Sequence, residues 1–86
     1  LRSRKFMNSE VIKLVNLQFS QQEAPQVLSE LQKVSLSDVM ARSEKNLLNT
    51  HLAILKLAKG DLQQVSHYVC CARKDFRDVI FWAGEK

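Results

Sequence analysis

Glycine and proline are nearly missing: two Gly, at 60 and 84, and one Pro, at 25, punctuate 86 residues. A turn-rich sheet needs far more breakers, so the chain reads as long helices joined by few turns. Cysteine is as scarce, with Cys70 and Cys71 side by side. Adjacent Cys cannot easily bridge each other within a helix, and two of them make no extracellular framework. Both therefore read as reduced thiols, and the expected compartment is the cytoplasm. No run approaches the roughly 18 apolar residues of a membrane span, and the start lacks the apolar core of a secretory signal, so no membrane association is expected. With no Gly-rich loop to cradle a phosphate and no CxxC or HxxxH pair to hold zinc, neither a nucleotide nor a metal cofactor is expected.

Apolar residues make up 45% of the chain and charged ones 26%, the balance of a folded globular domain and not of a disordered segment. A domain this short buries only roughly 60 to 65% of the surface its unfolded chain exposes, so a self-association surface would add stability. The net charge of +4 invites a nucleic-acid reading, yet Arg2, Arg4 and Lys5 supply three of those charges just before Met7. Residues 1–6 read as a disordered or appended tail and residues 7–86 as one helical domain. Without the tail the charge is nearly balanced and says little about partners.

In "NSEVIKLVNLQFS", Asn8 or Ser9 is placed to cap a helix whose Val11, Ile12, Val15 and Phe19 recur at helical spacing. The same letters alternate as Val11, Lys13, Val15, Leu17 and Phe19, which also fits a strand. Pro25 suits the first turn of a second helix, where its missing N–H has no partner to lose, and Val27, Leu28, Leu31 and Val34 give it one apolar stripe. A third helix is expected from Ser35 or Ser37, with Asp38 at the positive end of its dipole, running unbroken through "SDVMARSEKN" to Lys59 and Gly60. Its second half is apolar over more than half its circumference, which makes it central. Gly60 supplies a left-handed end, and Asp61 caps a fourth helix with Gln64 in capping-box register.

Leu62, Val65, Val69, Ala72, Phe76, Val79 and Ala83 form an apolar seam with alternating spacings of three and four, which predicts one helix from Asp61 to about Ala83. A break near Arg73 to Asp75 is the alternative. The short "KGD" link makes helices three and four antiparallel neighbours, so the fold class is an all-α bundle of about four helices with a C-terminal hairpin.

His67, Cys71 and Asp78 project from one side of a straight helix four, away from the seam; alone they fall short of the four ligands a structural zinc takes. His51, amid leucines, reads as a hydrogen-bonded residue at the core edge. Neither His stands in a nucleophile, base and carboxylate grouping, so no enzyme is expected. Lys74 and Asp78 are spaced for an i, i+4 ion pair, with Arg73 and Arg77 close enough to balance Asp75.

"SEKNLLNTHLAILKL", Ser43 to Leu57, resembles the recognition helix of LuxR-type helix-turn-helix domains, and "APQVLSELQKVSLSDVMAR" before it resembles their preceding helices. The resemblance spans residues 24–57 and implies a DNA-binding protein as the alternative function. It places Glu44, Lys45, Asn46 and Asn49 near DNA. The family carries about three more residues between the positions of "MAR" and "SEK", and those residues build its turn.

Opposite the seam, Cys70, Lys74, Arg77 and Phe81 form a stripe, with Trp82 on a flank, and these with Tyr68 are the candidate interface residues. A seam that points inward leaves Phe81 exposed unless the first helix folds over it. Otherwise a second copy or another protein covers it, since Phe, Trp and Arg are typical interface anchors. The function expected is therefore non-enzymatic: a small protein-interaction or homodimerisation module.

Overall fold

The computed structural model describes residues 8–85, so the tail read at residues 1–6 lies outside the described residues. Its α-helices are α1 (Ser9–Gln18), α2 (Ala24–Gln32), α3 (Glu44–Ala58) and α4 (Leu62–Glu85), with no strand among the described residues. Among the described residues no helix is long and apolar enough to cross a membrane.

Asn8 caps α1 by accepting the Glu10 amide at 2.8 Å. Val11, Val15 and Phe19 are buried while Leu17 is 75% exposed, so the helical period sets which residues enter the core and the alternating strand pattern has no part. Ala24 opens α2 with Pro25 in its first turn, and Ala24, Val27 and Leu31 face inward, followed by Val34 just past the helix end. α3 is the central element. It buries Thr50, His51, Ala53, Ile54, Leu55, Leu57 and Ala58, against α1 on one side and α4 on the other.

The stretch from Ser35 to Ser43 corrects the expectation of a continuous third helix. It forms two 3-10 turns, Leu36–Asp38 and Met40–Arg42, and α3 begins only at Glu44. Asp38 does cap, but the amide it accepts is that of Ser35 at 2.9 Å, which closes a single turn. Val39 then runs extended into the core, and Ala41 and Arg42 adopt left-handed angles (φ 59° and 50°) before Ser43 accepts the Asn46 amide and starts α3. Burial of Val39 and the Ser43 cap outweigh the helical preference of Ala and Arg, at a cost of about 1–2 kcal/mol for each left-handed residue.

At the other end of α3, Lys59 and Gly60 are both left-handed, and a Cβ on Gly60 would stand 3.4 Å from the Gln18 carbonyl of α1. Asp61 caps α4 through the Gln63 amide at 2.9 Å. The link turns the chain back, and α3 with α4 forms the expected antiparallel hairpin.

α4 is bent. Asp75 has extended angles (φ −159°, ψ 100°) in the middle of the helix and separates an arm of residues 62–74 from one of residues 76–85. Its carboxylate accepts the Arg77 amide at 3.1 Å, the bond of an N-cap, so the second arm starts as a fresh helix. Tyr68 and Trp82, fourteen residues apart, would be separated by about 21 Å along a straight helix. Their ring centroids lie 6.3 Å apart, edge to face, which only a sharp corner permits. The break that the sequence left as an alternative is the structure adopted. Most of the seam survives it: Val65, Val69, Ala72, Val79 and Ala83 are buried, whereas Leu62 and Phe76, the residue just past the bend, are only half-buried.

Candidate functional site

The bend redistributes the residues read as one outer stripe. Cys70 and Lys74, on the first arm, border a shallow hollow of about 330 Å³ beside the end of α2, with Glu30, Lys33 and Asp38 on its other side. Lys33 is itself paired with Glu30 at 3.1 Å. Tyr68, half-buried, meets Trp82 across the corner. Arg77 turns back onto Asp75, donating from Nε and Nη2 to the two carboxylate oxygens at 3.1 Å each. These hydrogen bonds, followed by the one from the Arg77 amide, hold the Asp75 carboxyl below its ordinary range. Asp75–Arg77 is thus the ion pair this stretch forms, in place of the Lys74–Asp78 pairing suggested by spacing.

Phe81 is the outlier. It is 63% exposed and Trp82 36% exposed, although Val79 and Ala83 in the same arm are fully engaged in the core. α1 packs on α2 and α3 and leaves Phe81 uncovered. Three rings in sequence, His67, Tyr68 and Trp82, run along this part of the surface. His67 stands edge-on to Tyr68 at 4.9 Å, and Tyr68 edge-on to Trp82.

The residues implied by the helix-turn-helix resemblance sit at the start of α3. Glu44, Lys45 and Asn49 are exposed, and Asn46 is half-buried with its amide bound by Ser43. Of the preceding helices that the resemblance implies over residues 24–42, α2 ends at Gln32, and two 3-10 turns fill the interval to α3.

A larger cleft was not legible in the sequence. About 630 Å³ in volume, it lies between the end of α2, the first 3-10 turn and the start of α3, and is bordered by Leu36, Glu44, Leu47, Leu48 and His51. Its walls come together only because the chain turns at residues 36–42. His51 is 4% exposed, and its Nε2 lies 2.8 Å from the Leu31 carbonyl and 3.2 Å from that of Val34. Both partners are acceptors, so Nε2 carries the hydrogen and donates to two carbonyls at and just past the end of α2. Burial lowers the pKa of His51 from 6.5, against the Val34 and Leu31 carbonyls, which favour the charged ring. The imidazole is a neutral strut between α3 and α2, with its donor engaged.

His67 and Cys71 are close, Nε2 to Sγ at 3.8 Å, and border neither cleft. Asp78 lies beyond the bend, and no group of three metal-ligating side chains forms among the described residues. Both thiols are free. Compared with known protein families, curated proteins and solved structures, the chain matches none.

Proposed function

We propose that this chain is a non-enzymatic helical protein that associates with a second copy of itself through the bent α4, with Phe81 at the centre of the contact. One observation carries the reading: Phe81 is 63% exposed beside Trp82 on an arm whose inward side is already filled. A Phe side chain buries about 200 Å², so covering the exposed part removes about 125 Å² from water, about 3 kcal/mol for each copy. Two such residues meeting across a twofold axis contribute about 6 kcal/mol toward the cost of association. Tyr68 and Trp82, fixed against each other, present a rigid flank that loses little side-chain freedom on contact. The exposed Cys70 thiol and half-buried Cys71 thiol, both unbridged, fit a reducing compartment, the cytoplasm.

Sedimentation of the wild type and of Phe81→Asp tests this. The wild type is expected to sediment as a dimer at micromolar concentration and the variant as a folded monomer with the same helical circular dichroism. A wild type that stays monomeric at high micromolar concentration removes the reading.

A further inference from the structure

We infer that His67 and Cys71 form half of a zinc site, completed by the same two residues of a second copy. The geometry is that of one edge of a zinc tetrahedron. Zinc binds thiolate sulfur at about 2.3 Å and imidazole nitrogen at about 2.0–2.1 Å, and a tetrahedral angle between those bonds puts sulfur and nitrogen about 3.6 Å apart. The observed Nε2 to Sγ distance is 3.8 Å, close to the length of that edge.

The supports are local. Both residues lie on the first arm of α4, one helical turn apart, the spacing at which two side chains on one helix face share a metal. Tyr68 stands edge-on to the His67 ring, with centroids 4.9 Å apart, and Trp82 edge-on to Tyr68, so the ligand has a packed neighbour before metal arrives. Cys70 is turned toward the hollow beside α2, which leaves Cys71 as the sulfur ligand.

One chain offers two ligands where zinc takes four, so the site is incomplete without a partner. Two copies give Cys2His2. Each Cys71 releases its thiol proton to solvent as its sulfur binds, and two thiolates neutralise the divalent ion. The completed centre carries no net charge and is therefore tolerated inside a contact. The ring series from His67 to Trp82 places it at the rim of the proposed self-association face, and in that placement the inference rests on the reading above.

The probe is cobalt(II) added to the reduced full chain, followed by zinc, with sedimentation in both metal-free and zinc-loaded states. Expected are tetrahedral cobalt absorption and thiolate-to-cobalt charge transfer saturating at one metal per two chains, displacement by zinc, and a dimer tightened by at least about ten-fold. Cys71→Ser and His67→Ala abolish the thiolate signal with circular dichroism unchanged, and Cys70→Ser keeps it. Absence of thiolate bands, saturation at one metal per chain, or bands that survive Cys71→Ser overturns the inference. The two readings separate cleanly. A metal-free dimer that gives no thiolate bands sinks the zinc site and spares the aromatic contact, whereas a metal-free monomer that dimerises with zinc does the reverse.

Discussion

Replacing His51 by Leu removes the one side-chain donor that reaches the Leu31 and Val34 carbonyls from α3, while keeping an apolar group of similar bulk in the core. The Leu31 carbonyl still accepts the Val34 amide at 3.1 Å, so the Val34 carbonyl suffers most. Losing the shared hydrogen bond and burying an unsatisfied acceptor together cost about 2 kcal/mol, or roughly 10 °C in the melting temperature of a domain this size. The pH dependence changes as well. The folded-state pKa of His51 lies below 6.5, so the unfolded chain binds the proton more readily. Stability that is fully present above pH 6.5 therefore falls as the pH drops below 6.5 toward the folded pKa. One proton limits the slope to about 1.4 kcal/mol per pH unit. Urea denaturation near pH 7.5 and near pH 5 measures both effects. The wild type loses stability between the two conditions, and His51→Leu starts lower and loses less. A variant with the same acid slope as the wild type, or with undiminished stability at pH 7.5, refutes the strut.

Other substitutions test the turns. Ala41→Gly, at a left-handed residue, is expected to be neutral or stabilising by up to about 1 kcal/mol in thermal melts, whereas the same change inside a continuous helix costs about 1 kcal/mol. Asp75→Ala removes the cap of the second arm and is expected to lower the melting temperature and shift Trp82 fluorescence to the red as the Tyr68 contact loosens; Asp75→Asn, which keeps an acceptor, falls between it and the wild type. Since Arg77 depresses the Asp75 carboxyl, the difference between Asp75→Asn and wild type is expected above pH 3.8 and vanishes as the pH falls through the folded pKa, which lies below that. A constant difference down to pH 2 contradicts the pairing.

The helices and most of the core were legible because they depend on period. Val11, Val15 and Phe19, then Val27, Leu31 and Val34, then Val65, Val69 and Ala72 are buried at the spacings the sequence displays. What the sequence concealed lies where the chain changes direction without glycine or proline. Ala41 and Arg42 are helix formers held left-handed by the burial of Val39 and the cap at Ser43, a tertiary demand that local preference cannot register. The corner at Asp75 replaces one helical residue by one extended residue and inserts none, so the spacing of threes and fours in the sequence does not mark it, although Phe76 just past it is only half-buried. The signal that was there is chemical: Asp75 two residues before Arg77 is an N-cap with its own counterion. The stripe of Cys70, Lys74, Arg77 and Phe81 exists only on a straight helix, and the bend separates Cys70 and Lys74, beside α2, from the aromatic surface. The setting of His51 amid leucines shows a hydrogen-bonded residue, but its partners, 17 and 20 residues away, follow only from the tertiary fold, which brings the ring to the end of α2.

The central claim is that the bent α4 presents Phe81 to a second copy of the chain, and sedimentation equilibrium of wild type and Phe81→Asp across the micromolar range tests it most directly. With about 3 kcal/mol of apolar burial lost from each copy, and each 1.4 kcal/mol worth a factor of ten, the substitution is expected to weaken the dimer by about four powers of ten while the melting temperature of the fold is retained. Wild type and variant that sediment alike, both as monomers or both as dimers, would contradict the account.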